Sequence, residues 1–417
     1  MPALLDCRIR RAPRPSGVSM PTSRALKSVL SLDDFEEAAR RRLPRPIFGY
    51  IAGAAETNLS RDDNRQAFSE LGFVPRVLRQ VAGRDQSVEL FGQPYAAPFG
   101  IAPMGISALS AYRGDIVLAR AAHQAGIAAI MSATSLIRLE EVAAAAPGTW
   151  FQAYLPGDVE RIDALVDRVA AAGFRQLVLT VDIPVSANRE NNVRTGFSTP
   201  LKPSLRLAWE GIRHPRWTVG VFLRTLARHG MPHFENSFAT RGAPIMSASV
   251  LRDFSARDHL NWEHVARIRA RWQGQLIIKG IMHPADAALA REHGADGIIV
   301  SNHGGRQLDG AVSPLRVLPQ VARAAGDMVV MMDSGIRRGT DVLKALALGA
   351  HFVFVGRPFN YAAAVGAQAG VEHAIGLLRD EVDRDMAMLG IVSPTEMSTD
   401  LLAVRAAPGL LTPTGNG

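Results

Sequence analysis

GIIVSNHGGRQLDG, residues 297 to 310, joins a short apolar run to a loop that carries more chemistry than a turn requires. The run Gly297-Ile298-Ile299-Val300 has no polar side, and strands of that kind belong to parallel sheets covered by helices on both faces. Asn302, Gly304 and Gly305 are turn formers and would suffice to end the strand. His303 and Arg306 are not, so the loop reads as part of a site.

Seven further runs share this character: FGIAPMG (99–105), GIAAIMS (126–132), TWFQAYL (149–155), QLVLTVD (176–182), QLIIKGI (275–281), MVVMMDSG (328–335) and HFVFVGR (351–357). Segments rich in Ala and Leu and closed by glycine, such as 114–126 and 340–349, lie between them and read as capped helices. Eight apolar strands alternating with helices predict an α/β fold, a (β/α)8 TIM barrel. Order is expected from Ser31, where Ser-Leu-Asp-Asp resembles a capping box, and Pro44 and Pro46 stop the helix that follows. The expected organisation is a disordered basic arm over residues 1–30, the barrel over 31–395 and a tail over 396–417. A long insertion between strands four and five spans about 190–260.

The chain has 417 residues, 47% of them hydrophobic, enough for a large core. Cys7 is the sole cysteine, so no intramolecular disulfide can form and a reducing, cytoplasmic setting is expected. A net charge of +8 comes without any nucleic-acid-binding signature. An anionic substrate, cofactor or membrane surface accounts for it instead. The opening MPALLDCRIRRAPRPSG lacks the apolar run of a secretory signal, and no stretch is long enough to span a bilayer. Within the insertion, residues 205–230 mix Trp209, Trp217 and Phe222 with arginines. Two readings stand: an amphipathic surface that enters the interface of an anionic membrane, such as the inner face of the cytoplasmic membrane, or a lid or subunit contact packed on its own barrel.

Catalytic groups of a parallel barrel gather at the carboxyl ends of its strands. Those exits hold Met104 and Gly105, Ser132, Gln152 and Tyr154, Thr180 and Asp182, Lys279, Ser301 with His303 and Arg306, Asp333 with Gly335 and Arg337, and Gly356 with Arg357. A lone histidine is usually structural and a lone aspartate after a strand usually a helix cap; the joint pattern resists both explanations. After strands seven and eight, glycines and two arginines occupy the usual phosphate position of this fold. Neither G-x-G-x-x-G nor a P-loop motif is present. Arg306, Arg189 and the hydroxyl of Tyr154 suit a carboxylate, and His303, oriented by Asp182, suits a general base. No metal is expected: the eleven histidines contain no H-E-x-x-H pair, and His259 and His264 are wrongly spaced to share a helix face.

The motifs SNHGGRQLD, LPRPIFGYIAGAAE, IAPMG, WFQAYLP, LTVDIPVSANRE, LIIKGI, DSGIRRGTDVLKALALGA and VGRP, in this order apart from the first, resemble those of the FMN-dependent α-hydroxy acid dehydrogenase and oxidase family. The resemblance implies that Pro103, Met104, Gly105, Ser132, Gln152 and Thr180 surround the isoalloxazine ring of FMN, with Ser301 and Gly304 nearby and Lys279 at its N1/O2 edge. It implies that Asp333, Ser334, Gly335, Ile336 and Arg337, with Gly356 and Arg357, hold the ribityl chain and phosphate. Tyr50, Tyr154, Arg189 and Arg306 would bind substrate, and His303 with Asp182 would take its proton. The implied reaction oxidises an (S)-2-hydroxy acid, lactate- or mandelate-like, to the 2-oxo acid, with a quinone, oxygen or another acceptor taking the electrons.

Where glycolate oxidase carries a tryptophan, Met131-Ser-Ala-Thr134 offers small residues, which implies room for a bulkier substrate. This stretch, with HPRW and RHGMPHFEN in the insertion, is most similar to the membrane-associated bacterial mandelate and lactate dehydrogenases. It therefore favours a quinone-linked dehydrogenase over an oxidase making hydrogen peroxide. Family members are commonly tetramers, so a homo-oligomer is expected. Type 2 isopentenyl diphosphate isomerase, another FMN barrel, would share the phosphate site but needs no carboxylate clamp. A non-catalytic barrel serving as a binding protein would have no use for His303 and Asp182.

Overall fold

The computed structural model describes residues 26–198, 200–201, 204–247, 249, 257–405 and 411–413. Most of the expected basic arm, up to residue 25, lies outside the described residues. Each of the eight apolar runs contains one strand: β1 (Phe99–Ile101), β2 (Ile130–Ser132), β3 (Trp150–Ala153), β4 (Gln176–Thr180), β5 (Gln275–Ile281), β6 (Gly297–Val300), β7 (Val329–Asp333) and β8 (Phe352–Val355). They form one parallel sheet in the order β1-β8-β7-β6-β5-β4-β3-β2. A parallel bridge between Ile101 and Ala129 brings β1 back to β2 and rounds the sheet into the expected barrel.

The two-residue period of a strand divides the core. Ile130, Trp150, Val178, Ile277, Ile299, Met331, Phe352 and Phe354 fill the barrel interior. Their neighbours Met131, Phe151, Leu177, Ile278, Ile298, Met332 and Val353 pack outward under the helices. Each such side chain removed from water contributes about 1.5–3 kcal/mol, so the barrel is a solid block that holds its strand ends still. A hairpin, Val88–Leu90 with Gln93–Tyr95, plugs the interior: Leu90 joins the inner cluster and the indole of Trp150 donates to the Tyr95 hydroxyl at 3.2 Å.

Helix Leu32–Arg42 begins where the capping box was expected, with Asp34 N–H donating to the Ser31 hydroxyl and Ser31 N–H to the Asp34 carboxylate. It packs on the long helix Arg357–Leu389, which bends at Ala367. The following helix, Arg45–Ala52, points its C-terminal carbonyls at the site described below. Near the other end of the chain, Leu402–Arg405 pairs antiparallel with Leu71–Phe73.

The insertion is helical where it is described over 204–229. Ser204 caps Leu205–Arg213, the chain continues through Pro215–Trp217 and a wide turn at Thr218–Leu223, and Arg224–His229 closes the segment. Leu205, Trp209, Ile212, Val219 and Leu223 are exposed, several of them at the i, i+4, i+7 spacing of one helix face, and Arg213, Arg216, Arg224 and Arg228 are exposed beside them. Trp217 and Phe222 do not share that surface. Trp217 is buried, donates to the Leu109 carbonyl at 2.7 Å, and stacks on Phe222, which packs against the core. The pair anchors the segment to the barrel and leaves the other face free. Among the described residues no helix is long and apolar enough to cross a membrane.

Candidate active site

At the exit of β6, His303, Gly304 and Gly305 take consecutive positive φ values of 58°, 67° and 73°. Glycine is required at the last of these: a Cβ on Gly305 would fall 2.4 Å from the Arg61 backbone nitrogen. A histidine in this left-handed region is strained, and such strain persists where the surroundings fix it. Here the His303 N–H donates to the Ser301 hydroxyl at 3.0 Å, which turns the imidazole toward the end of β4.

There His303 Nδ1 meets Asp182 Oδ1 at 2.9 Å, and its Nε2 lies 3.4 Å from the Tyr154 hydroxyl, with the two rings stacked. Burial pushes His303 below its usual value even though Asp182 acts to raise it. Burial alone would raise Asp182, but the charge and hydrogen bond of His303, together with Lys279, hold it below the usual carboxylate range. The downward shift of His303 favours the neutral imidazole beside an ionised Asp182, and Asp182 stabilises the imidazolium once a proton arrives. Asp182 accepts a hydrogen bond from Nδ1–H, which leaves the Nε2 lone pair facing the cavity. Burial also raises Tyr154 to about 12, so its phenol stays protonated.

Gly280 permits this contact. The β5–β6 register shifts between Lys279 and Ile281, and Gly280 at φ +107° would place a Cβ 2.6 Å from the Asp182 Cβ. Bulges of this sort re-aim side chains beside active sites. On the inward side of the bulge, Lys279 donates to the Ser301 hydroxyl at 2.8 Å and pairs with Asp333 at 3.0 Å. Burial lowers Lys279, but Asp333 and Asp182 outweigh it, so the net shift is upward and the amine stays charged.

Two arginines knit the mouth together. Arg306 Nη1 donates to the carbonyls of Tyr50 and Gly53 at 2.8 and 2.7 Å, and its guanidinium lies over the Tyr50 ring. Arg357 donates to Ile51, Gly53 and Gly304. Both therefore sit at the negative end of helix Arg45–Ala52. Burial lowers Arg306 to about 10 and Arg357 to about 9, and both remain cations at neutral pH. Arg189 donates to the Arg306 carbonyl and to Gln307.

These groups border a cavity of about 620 Å³, within the range of pockets that hold cofactors and their substrates. Tyr50, Tyr154, Arg189, His303 and Arg306 line it together with Pro103, Met104, Gly105, Lys279 and Gly304, and with Asp333 to Arg337, Gly356 and Arg357. Ser132, Gln152, Thr180 and Ser301 are buried at the strand exits behind this wall. The Ser132 hydroxyl donates to Gln152 Oε1 at 2.9 Å, yet Gln152 Nε2 and Thr180 Oγ1 are buried without a partner. Unpaired buried donors are costly, so these two are placed to donate to an acceptor on a bound group. A polar heterocycle beside Gln152 and Thr180 and an anion beside Arg337 and Arg357, at the N-terminus of helix Arg357–Leu389, fit FMN.

Several lining residues are not at strand exits: Asn192, Phe197, Phe234 and Arg257 come from the insertion and Asn360 from the last long helix. The insertion is thus a wall of the site as well as a surface feature. Thr134, from the small-residue stretch, also faces the cavity, where a Cβ on Gly105 would meet its hydroxyl at 2.4 Å. A second cavity of about 580 Å³ lies between insertion and barrel, but its charged groups are paired with one another, as Arg113 is with Glu141.

The fold and this site define a flavin-dependent oxidoreductase. Residues 39–404 match the model of the FMN-dependent dehydrogenase family, and the chain belongs to that family. It is 40% identical over 379 residues to an L-lactate dehydrogenase of Allorhizobium ampelinum, covering 90% of this chain and 98% of that one. It is 34% identical to the (S)-mandelate dehydrogenase of Pseudomonas putida, covering 90% and 94%. Among solved structures it resembles a monotopic membrane protein, (S)-mandelate dehydrogenase, with a TM-score of 0.85 and 34% identity over 91% of this chain and all of that one. A mandelate oxidase superposes with a TM-score of 0.72 at 35% identity, covering 88% and 96%. The protein is an enzyme that oxidises a 2-hydroxy acid to the 2-oxo acid with FMN.

Proposed function

We propose that the protein oxidises an (S)-2-hydroxy acid of the lactate or mandelate type and passes the electrons to a quinone. The single observation that carries the catalytic part is the placement of His303, with Nδ1 at 2.9 Å from Asp182 and Nε2 toward the cavity beside Tyr154. FMN, when bound, supplies the two-electron acceptor. Pro103, Met104, Gly105, Ser132, Gln152, Thr180, Ser301 and Gly304 hold its ring in this reading. Lys279 is the buried cation that balances negative charge there. Arg337, Arg357 and the turn from Asp333 through Ser334, Gly335 and Ile336 receive the phosphate end.

Arg306 and Arg189 bind the substrate carboxylate, with Tyr50 and Tyr154 donating hydroxyl hydrogen bonds. His303 Nε2 takes one proton from the substrate, and Asp182 stabilises the imidazolium that results. Small residues at 132–134 leave space for a side chain larger than methyl.

The exposed Leu205, Trp209 and Ile212, ringed by arginines, suit the surface of an anionic membrane, where a quinone is met. The monotopic character of the similar mandelate dehydrogenase supports this reading, and with it a peripheral position on the cytoplasmic membrane. A homo-oligomer, tetrameric by resemblance, is part of the proposal. Anaerobic bleaching by a hydroxy acid followed by mixing with air or with a quinone analogue tests the acceptor. Fast return of colour with the quinone and slow return in air is expected; the reverse would make the enzyme an oxidase.

A further inference from the structure

We propose that the second cavity, between the insertion and the barrel, binds the quinone, so that hydroxy acid and electron acceptor are served from opposite sides of one thin partition. The proposal rests on the reading of a quinone as acceptor and gives that acceptor a site of its own. At three places the chain crosses from the active-site cavity to the second one within two residues. Ile106 lines the first and Ala108 the second, Thr134 the first and Leu136 the second, Phe234 the first and Glu235 the second. Backbone hydrogen bonds join the crossings: Ile106 N–H donates to the Thr134 carbonyl at 3.2 Å, and Glu235 N–H to the Ser135 carbonyl at 3.3 Å. Ile106, Ser135 and Phe234 are buried within this partition. It begins next to Met104 and Gly105, which take the flavin ring in the proposed reading, so one layer of residues separates ring and second cavity.

The lining suits a neutral, largely apolar ligand. Leu109, Leu136, Ile137, Val221, Phe222 and Met231 supply apolar surface, and about 580 Å³ is room for a quinone ring and the start of an isoprenoid tail. The lining arginines are already matched: Arg113 pairs with Glu141, Arg168 with Glu140 and Arg241 with Glu235. An anion gains little there, whereas an uncharged ring asks only for a hydrogen-bond donor at its oxygen. His229 offers one, with its Nε2 2.9 Å from the Tyr112 hydroxyl. Whichever way that hydrogen bond runs, the pair keeps a further proton to donate. Entry is from the apolar side of the insertion. Met231 lines the cavity and is itself 37% exposed, and the turn that supplies Val221 and Phe222 also carries the exposed Val219 and Leu223. A lipid-soluble quinone would therefore reach the mouth from the surface proposed to meet the membrane.

The step balances simply. Two electrons and two protons convert the quinone to its hydroquinone; the reduced flavin supplies the electrons across the partition and returns to its oxidised form, losing its own two hydrogens as protons. Product and quinone need not exchange places, because each has its own cavity.

The test uses FMN-loaded full-length protein and a dimethoxybenzoquinone carrying one isoprene unit, soluble enough to need no membrane. The enzyme is bleached anaerobically with a hydroxy acid, and the return of flavin colour is followed against quinone concentration. Recolouring should saturate, and 2-phenylpropionate, a substrate mimic without the hydroxyl, should block bleaching but not recolouring. Thr225→Trp and Met231→Trp, which fill the cavity and its mouth, should each raise the half-saturating quinone concentration by about 10-fold or more. Bleaching by the hydroxy acid and recolouring by ferricyanide should stay at wild-type rates in both, which also shows that the variants are folded. As a readout without turnover, light-activated labelling of the oxidised protein by an azido derivative of the quinone should fall on peptides from 219–241 and 106–141. Wild-type quinone dependence in both variants overturns the proposal, and so does recolouring that 2-phenylpropionate blocks, since the quinone would then be using the substrate's cavity. In those cases the quinone reading stands. A wild-type flavin that the quinone recolours no faster than air does defeats that reading and this proposal together.

Discussion

His303 Nδ1 and Asp182 Oδ1 lie 2.9 Å apart, and this contact decides which imidazole nitrogen faces the cavity. His303→Gln should keep the flavin but lose bleaching by substrate by about 10²-fold or more, the size of a missing general base. Asp182→Asn should also slow bleaching, because an amide can donate to Nδ1 and turn the Nε2 lone pair into an N–H. Stopped-flow absorbance of the loaded proteins checks both, and a rate within threefold of wild type for either would detach that residue from the reaction.

The pH dependence follows from the same pair. Burial places His303 below the ordinary 6.5, so the base form persists at neutral pH and kcat/KM should be flat there, falling only as pH drops through a value under 6.5. Stability has the same sign. The unfolded chain takes up the proton first, so the contribution of the neutral imidazole is present above 6.5 and lost as pH falls through the lower folded value. A pH–rate profile with its acid limb above 6.5 would contradict this.

Gly280→Ala should disable the site without touching a substrate-binding side chain. The new methyl would stand 2.6 Å from the Asp182 Cβ on a backbone at φ +107°, and one of them must move. Loss of bleaching rate with flavin retained, and a crystal structure with Asp182 displaced from His303, are expected. Wild-type turnover would mean that the bulge does not govern Asp182.

The barrel was legible because each strand is a dense apolar run with a polar exit: Gly297–Val300 followed by Ser301 and His303 announces both a buried strand and a site. Tertiary partners were not legible. Nothing in the order of residues distinguishes Trp209, which is exposed, from Trp217, whose indole finds the Leu109 carbonyl far away in sequence. Arg306 read as a substrate ligand, yet one of its nitrogens holds the carbonyls of Tyr50 and Gly53, an acceptor pair that backbone geometry alone supplies. Arg257 escaped notice because it sits in the insertion, away from every strand end.

Surface binding should divide the two tryptophans. Trp209→Ser combined with Ile212→Ser should weaken sedimentation with vesicles containing anionic phospholipid and leave thermal stability near wild type, since both side chains are exposed. Trp217→Ser should instead lower stability by about 3 kcal/mol or more, as loss of a large buried aromatic does. Raising salt should weaken vesicle binding, because Arg213, Arg216, Arg224 and Arg228 are exposed and open to screening. Wild-type protein that stays in the supernatant with every vesicle would end the membrane assignment.

The most direct measurement is an anaerobic titration of the FMN-loaded enzyme with (S)-lactate and (S)-mandelate, followed at the flavin absorbance maximum. Wild-type protein should lose its yellow colour with at least one acid, and His303→Gln should keep it over the same interval. A wild-type flavin that stays oxidised with every 2-hydroxy acid, or a His303→Gln flavin that bleaches just as fast, would contradict the account.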